Sequence, residues 1–563
     1  MERNHTNFWK TDRHFALGRS RRLLVGWPPW PAGSARSARG IPKSLAYALL
    51  TVILALASTA FTLNGAIGIH DPSTVINDHG TWYVYGTGGR ALVSRDGWTW
   101  SAGVTPARTG LAPDVIHIGN RFYMYVARNI GAEPKAAVNM IWTRSLDPKS
   151  PDYKWHEGGV VASSNGVEDS NAIDPGVFLD STTGRMWLTY GSFIGYIRLV
   201  ELNPKTGQDL VANEKPIDLA INGEASDMIY HAGWYYLFMD RGSCCAGSSS
   251  GYNIRMGRSR KVTGPFVDAD GVGMIEGGGT MLIGSEGRFI GPGHFGLINL
   301  GDGVEKFSMH WEADLDHGGA SVLGIRPLLW KNGWPEAGEN FLGGTFEIQS
   351  VRTGTALDIA VEGVPVGGPR TFGFGGRGRG PVGARRGPGG FAGRGPAGRG
   401  PAGRGPGGAP GRGFGFGRGP APLSNRVIPD QQAAQVDKNW PAGTVDAGMA
   451  NYLAEARQKW QITPVPDAGG YIGGPYFKIT IAGTDRALAA TTDAELAVIP
   501  AFTGAPEQLW RFDQLTDGTW RIMPKAIPNW PQPMALSAVG SSFATLDKFN
   551  SHSDMQRWLL KTP

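Results

Sequence analysis

The sequence predicts an all-β protein: a five-bladed β-propeller followed by a β-trefoil that a disordered Gly/Arg/Pro-rich insertion interrupts. Two patterns predict it: a strand–turn–strand pattern that recurs five times, and three Gln-x-Trp triplets at near-equal spacing. A third observation is that the first region lacks amphipathic helical periodicity. The expected domains are a basic leader with a signal peptide or N-terminal anchor (1–62), the propeller (63–340), and the trefoil (341–563), with the insertion at 365–425.

Each of the five copies begins with a strand that carries a polar residue at its start. A turn rich in Gly, Asn or Asp follows, and then an aromatic strand such as TWYVYG (81–86) or RFYMYVA (121–127). The alternation in these strands is typical of half-buried strands joined by tight hairpins. The copies recur at roughly 45–70 residues, which suits four-stranded propeller blades with insertions.

The polar residues that open the copies are the candidates for chemistry. In a propeller the first strand of every blade lines the central channel, so residues far apart in sequence meet around one axis. We assign equivalent positions to the five opening residues, Asp71, Asp114, Asp174, Glu224 and His294. The sequence therefore predicts an axial pocket that contains several carboxylic acids.

Such a pocket suits the hydrolysis of glycosidic bonds. That reaction needs one carboxylic acid to protonate the departing oxygen and one carboxylate to activate water, at the same pH. Asp71 and Glu224 could form the pair, and the charge of Asp174 would raise the pKa of the acid. Each acid taken alone is more often a turn or cap residue, because Asp-Pro is a common turn element. Three acids at matching repeat positions weaken that alternative.

Several motifs resemble glycoside hydrolase family 43. They are HDPS (70–73), SNAIDPGVFLD (170–180), WLTYGSF (187–193), GEAS (223–226) and GPGH (291–294). The run RGSCCAGSSSGYNIRMGRS from Arg241 is similar to the arabinanase-like members. The resemblance covers about 66–340 and implies Asp71 as general base, Asp174 as pKa modulator and orienter, and Glu224 as general acid. Members of this family act with inversion.

We also expect four residues to contact the sugar. Asn171, Ser192 and Phe193 lie in motifs shared with the family, and Asp114 opens the second copy. Endo-acting relatives often carry Trp and small residues after the GSF motif, where this chain has Ile194-Gly195-Tyr196. These positions line the sugar subsites in the family, so endo or exo action stays open.

His294 matches a histidine that lies near a calcium or other hydrated cation in arabinanase-like relatives; the alternative is a structural histidine. No run of acidic residues forms a calcium loop, so we expect any ion to be held largely through water. No organic cofactor is expected. Cys244 and Cys245 are adjacent, and a structural role near the pocket is favoured over a redox or metal-binding pair.

The triplets Gln458-Lys459-Trp460, Gln508-Leu509-Trp510 and Gln556-Arg557-Trp558 are 50 and 48 residues apart. Three equal units suit a pseudo-threefold β-trefoil in which each Trp packs into a shared core. The units resemble ricin-type lectin modules, and only the first keeps the sugar-binding aspartate of that family, as Asp358. One lectin-like pocket and a purely structural trefoil both fit this pattern.

The net charge of +6 is unevenly distributed: residues 1–45 carry +7 and residues 365–420 carry +10, which leaves −11 for the rest. An acidic body argues against a polyanion partner, so we expect no nucleic acid, although Arg/Gly tracts sometimes bind one. The apolar run 45–61 behind a basic leader predicts a signal peptide or an uncleaved anchor. We therefore expect a secreted or periplasmic protein that meets a membrane only through that segment.

The leading functional hypothesis is an exported, inverting hydrolase of α-L-arabinofuranosyl linkages in arabinan or a related plant cell-wall polysaccharide. The alternatives are an exo-acting arabinofuranosidase or β-xylosidase on oligosaccharides, and a non-catalytic carbohydrate-binding protein. The presence of all three acids favours an enzyme, because a site that had lost its activity would be free to lose at least one of them.

Overall fold

The computed structural model describes residues 63–107, 109–129, 135–165, 170–211, 215–359 and 443–563, all within one compact unit, Ala60–Pro563. The predicted leader and signal peptide or anchor (1–62) and the predicted insertion (365–425) lie outside these residues. The described segments contain strands and short 3₁₀ turns but no α-helix. None of their elements is a helix long and apolar enough to cross a membrane.

Five sheets, each with four antiparallel strands, form a five-bladed β-propeller. In blade 1 a short fifth strand, β1 (Asn64–Gly65), runs parallel to β5 at the outer edge. Blade 1 contains β2 (Ile76–Asp78), β3 (Thr81–Gly86), β4 (Arg90–Ser94) and β5 (Thr99–Ala102), and blade 2 contains β6 (Leu111–Ile118), β7 (Arg121–Asn129), β8 (Ala136–Thr143) and β9 (His156–Ser163). Blade 3 contains β10 (Gly176–Leu179), β11 (Met186–Tyr190), β12 (Tyr196–Leu202) and β13 (Ile217–Ile221), and blade 4 contains β14 (Glu224–His231), β15 (Trp234–Arg241), β16 (Asn253–Ser259) and β17 (Thr280–Ile283). Blade 5 contains β18 (Phe289–Asn299), β19 (Glu305–Asp314), β20 (Ala320–Lys331) and β21 (Trp334–Ala337).

The second strand of each blade is buried on both faces, because it lies between two neighbouring blades. In β7, Phe122, Met124 and Val126 pack in a core with blade 1, whereas Tyr123 and Tyr125 point the other way into a core with blade 3. The prediction of half-buried strands is therefore wrong for β7. Its aromatic and aliphatic residues alternate between two cores rather than between a core and solvent.

Hydrogen bonds between the last blade and the start of the chain close the ring. The N–H of Leu323 in β20 donates to the carbonyl of Ile67 at 2.8 Å, and the N–H of Ile69 donates to the carbonyl of Ser321 at 3.1 Å. One hydrophobic core contains residues of blades 1, 4 and 5 and so spans this junction. The five first strands consequently surround one axis.

One residue with a left-handed backbone marks the start of each blade. The φ angles are 48° at Asp71, 43° at Ala112, 52° at Asp174, 50° at Ala225 and 59° at His294. Three of the five are the predicted opening residues.

This backbone register corrects the predicted equivalence of five polar residues. Asp71, Asp174 and His294 do share one position, but Glu224 precedes it by one residue and Asp114 follows it by two. The cause is an irregularity at the start of the first strands, where the pairing register shifts, for example between Leu111 and Asp114 and between Glu224 and Asp227. Such a β-bulge changes the direction in which the side chains point, so a polar residue at a neighbouring position can also face the axis.

The C-terminal region is a single sheet of twelve strands. They are β22 (Gly344–Ser350), β23 (Ala356–Ile359), β24 (Val445–Ala450), β25 (Trp460–Tyr471), β26 (Gly474–Ile481), β27 (Ala487–Ala490), β28 (Leu496–Ile499), β29 (Trp510–Gln514), β30 (Trp520–Pro524), β31 (Met534–Val539), β32 (Phe543–Lys548) and β33 (Trp558–Lys561). The indole N–H of each triplet tryptophan donates to a leucine carbonyl of the same repeat. The pairs are Trp460 with Leu357 at 3.0 Å, Trp510 with Leu488 at 3.0 Å, and Trp558 with Leu536 at 2.9 Å.

The C-terminal region packs on the end of the propeller remote from Asp71. The N–H of Ile472 donates to the carbonyl of Asp96 at 2.7 Å, in the hairpin between β4 and β5. The N–H of Thr516 donates to the carbonyl of Gly303 at 3.0 Å, in the hairpin between β18 and β19. Both hairpins lie at the strand ends opposite the left-handed residues, so these contacts of the C-terminal region are on the face of the propeller opposite the channel carboxyl groups.

Candidate active site

Asp71 lies at the channel end of blade 1, with histidine side chains on several sides. The hydroxyl of Thr87 donates to Asp71 Oδ2 at 2.5 Å. Asp71 Oδ1 lies 3.2 Å from His294 Nδ1 and 3.4 Å from His70 Nε2. Burial alone would raise the pKa of the Asp71 carboxyl, but the nearby histidines and the Thr87 hydroxyl outweigh burial and lower it. Asp71 is therefore a carboxylate at neutral pH.

Asp174 and Glu224 are neighbouring carboxyl groups on the same channel axis as Asp71. The N–H of Ala225 donates to Asp174 Oδ2 at 3.2 Å, and the Tyr252 hydroxyl donates to Glu224 Oε1 at 2.9 Å. Burial raises the pKa of Asp174 well above its ordinary value, and the charges of Glu224 and Asp71 raise it further. Two neighbouring carboxyl groups oppose each other's ionisation, so the pair holds its proton to a higher pH than an isolated carboxyl group would.

The channel thus shifts the pKa values of its carboxyl groups in opposite directions, down at Asp71 and up at Asp174. Glycoside hydrolysis requires this combination of a base and an acid whose environments separate their protonation states. The structure brings together all three residues to which the sequence assigns catalysis.

A fourth carboxyl group, Asp240, was not predicted. It is fully buried at the end of β15, in register with Glu224 on β14. Its Oδ2 accepts the N–H of His294 at 2.6 Å. Burial raises the pKa of Asp240 well above its ordinary value. The sequence signal was available, because an acid ends the otherwise apolar run YYLFM.

His310 and Glu312 were also missed, and both lie on β19 behind Asp71. The N–H of Asp71 donates to His310 Nδ1 at 2.9 Å, and the ring of His310 stacks on His70 with centroids 4.6 Å apart. Glu312 Oε1 accepts the N–H of Cys245 at 2.9 Å and lies 3.7 Å from His310 Nε2. Polar residues inside the buried strand SMHWEAD were the signal for them.

The four residues predicted to contact sugar are placed differently from one another. Phe193 is 44% exposed, whereas Asn171 and Ser192 are 2% and 4% exposed. Ser192 Oγ accepts the N–H of Ile194 at 3.3 Å. The fourth, Asp114, is treated next.

Asp114 ties three blades together instead of facing solvent. Its Oδ1 accepts the N–H of Thr74 at 2.9 Å, and its Oδ2 accepts the N–H of Val177 at 2.8 Å. The side chain thus links blade 2 to blades 1 and 3 with both oxygens engaged and with 6% exposure. This placement favours a structural tie over the predicted sugar contact.

Asp358 in the C-terminal region is likewise enclosed, with 1% exposure. Arg457 Nε lies 2.7 Å from Asp358 Oδ1, and the Gln458 amide donates to Asp358 Oδ2 at 3.1 Å. Glu455, 3.3 Å from Arg457, completes the buried cluster. The predicted lectin-like contact would require an open carboxylate, and this one is paired with an arginine.

The donor groups in the channel do not fit a directly coordinated calcium ion. Calcium prefers six to eight oxygen ligands. Among the described residues, the groups close enough to share an ion are His70–Asp71–His310 and His70–Cys244–Cys245–Glu312. Each contains one carboxylate, and neither includes His294. Cys244 and Cys245 are joined in a disulfide, whereas metals bind the thiolate form.

Comparison with known proteins decides the family. A family model described as glycosyl hydrolases family 43 matches residues 84–335. An extracellular exo-α-(1→5)-L-arabinofuranosidase of Cellvibrio japonicus is 31% identical over 310 residues, which cover 49% of this chain and 88% of that protein. The chain belongs to glycosyl hydrolase family 43.

Further relatives of this family 43 chain include an extracellular endo-α-(1→5)-L-arabinanase of Bacillus subtilis. It is 30% identical over 316 residues, which cover 52% of this chain and 94% of the relative. A solved structure of a Cellvibrio cellulosa α-L-arabinanase complexed with arabinohexaose is 28% identical, with a TM-score of 0.45 over 48% of this chain and 95% of that one. The family 43 chain is a glycoside hydrolase, and the matched residues include Asp174, Glu224 and His294.

Proposed function

We propose that this family 43 hydrolase cleaves α-L-arabinofuranosyl linkages in arabinan with inversion of configuration. The observation that carries the proposal is the position of three carboxyl groups around one axis, with Asp71 bonded by the Thr87 hydroxyl and Asp174 placed beside Glu224 through the N–H of Ala225. The pKa of Asp71 is lowered and that of Asp174 is raised, as a base and the neighbour of an acid require. The names of the relatives supply the substrate class, because they describe enzymes acting on (1→5)-linked L-arabinan.

In the proposed reaction Asp71 acts as general base. It accepts a proton from a water molecule while the water oxygen bonds to the anomeric carbon. Glu224 acts as general acid and gives its proton to the glycosidic oxygen as the carbon–oxygen bond breaks. The water attacks from the face opposite the leaving group, so the anomeric configuration inverts.

Asp174 acts on the general acid, Glu224, and takes no direct part in breaking the bond. Its negative charge disfavours ionisation of Glu224, and its contact with the N–H of Ala225 fixes it beside the residue that follows Glu224. The Tyr252 hydroxyl orients Glu224 from the other side. No step of this mechanism passes through an ion at His294, which stays a sequence-based prediction.

For the C-terminal region we propose a β-trefoil of the ricin type. Three repeats support it, because each pairs its tryptophan N–H with a leucine carbonyl and uses its glutamine to accept a loop N–H. We assign Asp358 a structural role, since its carboxylate is buried against Arg457. Secretion is proposed from the basic leader and from relatives described as extracellular.

Product analysis tests the proposed function. The purified protein is incubated with linear arabinan, arabinoxylan and aryl α-L-arabinofuranosides and β-xylosides, and the product sizes are read by chromatography. We expect arabinose or arabino-oligosaccharides from arabinan, and the β-anomer as the first product in proton NMR. No hydrolysis of any arabinofuranosyl substrate would overturn the substrate assignment, and retention would overturn the mechanism.

The Glu224→Gln variant tests the assignment of the acid. A sugar alkoxide needs a proton to depart, whereas a nitrophenolate departs without one. General acid assistance is typically worth about 10²–10⁴-fold, so Glu224→Gln should lose that much on arabinan and far less on a nitrophenyl arabinofuranoside. Equal losses on both substrates would exclude Glu224 as the acid.

A further inference from the structure

The left-handed residues at the blade starts share a second feature besides their φ angles. In four of the five, the main-chain N–H donates to a side chain of the preceding blade. The pairs are Asp71 with His310 Nδ1 at 2.9 Å, Ala112 with Thr87 Oγ1 at 2.8 Å, Ala225 with Asp174 Oδ2 at 3.2 Å, and His294 with Asp240 Oδ2 at 2.6 Å. We call these contacts latches.

Physical chemistry explains why each latch is needed. A non-glycine residue with a left-handed backbone carries about 1–3 kcal/mol of strain and persists only where its surroundings fix it. Its N–H must also find an acceptor when buried. A side chain from the neighbouring blade meets both requirements at once, and it joins two blades at the axis.

The latch at Asp71 differs from the other three in its acceptor. Three acceptors are oxygen atoms, whereas Asp71 donates to an imidazole nitrogen. An imidazole accepts only when that nitrogen carries no proton, which places the ring proton on His310 Nε2, the atom 3.7 Å from Glu312 Oε1. Burial lowers the pKa of His310 well below its ordinary value, so the ring stays neutral.

We propose that His310 is a positioning residue for hydrolysis: its Nδ1 fixes the backbone of Asp71 so that the base carboxylate faces the attacking water. Glu312 favours the required tautomer, and the N–H of Cys245 fixes Glu312 in turn. The inference rests on the proposed function, because it takes Asp71 as the base. His310 itself exchanges no proton with water or substrate.

The proposed positioning role predicts which kinetic constant changes when His310 is replaced. Misplacing the base slows the attack of water, which every substrate needs, so kcat should fall equally for good and poor leaving groups. Substrate binding does not use His310, which is 0% exposed, so KM should stay unchanged. A misplacement of about 1 Å is worth roughly 10²-fold in rate.

The test compares three variants of the full chain, His310→Asn, His310→Gln and His310→Phe. An asparagine amide oxygen can occupy the position of Nδ1, a glutamine amide oxygen reaches that of Nε2, and phenylalanine has no acceptor. We expect His310→Asn to keep kcat within about 10-fold, and the other two to lose about 10²-fold on both arabinan and a nitrophenyl arabinofuranoside, at constant KM. His156→Phe, at a ring that stacks on Trp142 in blade 2, is the matched control and should keep full activity.

Three results would overturn the proposal: equal kcat losses in His310→Asn and His310→Gln, a loss confined to arabinan, or a loss that appears only in KM. If His310→Phe does not fold, the comparison of Asn with Gln decides. Asp71→Asn is measured alongside. A wild-type protein inactive on every arabinofuranoside would refute the proposed function instead, and an active Asp71→Asn would refute the base assignment.

Discussion

Asp174 in the propeller channel and Asp513 in the C-terminal region are both buried carboxyl groups, yet their surroundings act on them in opposite directions. Burial raises the pKa of both. At Asp513 the cations Arg511, Arg521 and Lys306 outweigh burial and lower the pKa below its ordinary value. At Asp174 the neighbouring charges are those of Glu224 and Asp71, which add to burial.

The difference separates a structural charge from a carboxyl group that we propose to serve catalysis. Asp513 Oδ2 lies 2.7 Å from Arg521 Nη2, and Arg521 continues to Asp302 of the propeller at 3.0 Å, so the ion pairs join the two regions. Asp174 accepts the N–H of Ala225, and the charges that shift its pKa are those of two other carboxyl groups, Glu224 and Asp71. A buried acid without a cation destabilises the fold when ionised, and it keeps a proton available for chemistry.

The largest effect is expected from Asp71→Asn in the channel. The substitution removes the group that we propose activates water, a step that all substrates require, whereas Asn keeps the size of the side chain. Activity on arabinan and on a nitrophenyl arabinofuranoside should fall together by at least about 10²–10⁴-fold. Steady-state kinetics on both substrates measures this. A loss on arabinan alone would assign Asp71 to substrate binding.

Asp513→Asn should produce the largest loss of stability. Removing one partner of a buried ion pair leaves an uncompensated charge and typically destabilises by about 3–5 kcal/mol. Urea unfolding should detect this, and turnover of a small aryl substrate at 25 °C should be retained. Asp547→Asn, at an exposed position in β32, is the control. Unchanged stability in Asp513→Asn would contradict the structural role of the network.

Asp174→Asn should show the reverse combination. Because the folded pKa of Asp174 lies above its unfolded value, ionisation of this group weakens the fold at neutral pH, and the effect disappears as pH falls below about 4. The variant should therefore be more stable at pH 7 by roughly 1 kcal/mol and equally stable at pH 3. Thermal unfolding at the two pH values checks this.

The same variant should lose activity, and the alkaline limb of its pH–rate profile should move to lower pH. In the variant the charge of Asp174 no longer opposes ionisation of Glu224, so the proton leaves at a lower pH. An unshifted alkaline limb would show that Asp174 orients without affecting the proton.

The smallest effect is expected from deleting residues 367–420. Their composition predicts no packed core, so the deletion should leave the hydrolysis of soluble substrates nearly unchanged. Loop closure depends only weakly on length, and stability should change by about 1 kcal/mol or less. A large loss on a small aryl substrate would show that the insertion serves the active site.

The fold class and the catalytic candidates could be read from the sequence because they depend on repetition. Hairpins of matching composition recur, and Asp71 and Asp174 stand in identical positions before Pro. The assumption of full equivalence failed at Asp114 and Glu224, because a bulge changes which residue points to the axis without changing the residue pattern. Ala112 and Ala225, the true equivalents of Asp71, have no polar side chain to mark them.

The residues that support the catalytic candidates, Asp240 and His310, could not be predicted, and the reason is a different one. Asp240 and His310 lie on second strands, where both faces pack against neighbouring blades, and a polar residue there has meaning only once its partner is known. His310 contacts Asp71 from 239 residues away. Asp358 shows the converse: its motif matched a sugar-binding pattern, and only the position of Arg457 reveals that the carboxylate is enclosed.

The order in which strands pair has a consequence for biosynthesis. The propeller closes when residues 67–69 bond with β20, which precedes every strand of the C-terminal sheet along the chain. The C-terminal sheet instead pairs its first strand, β22, with its last, β33, through Ser350 and Trp558. It therefore cannot be completed until β33 has been synthesised. The catalytic half of the chain can thus assemble on a nascent polypeptide, whereas the C-terminal sheet needs a strand made about 200 residues after its first one.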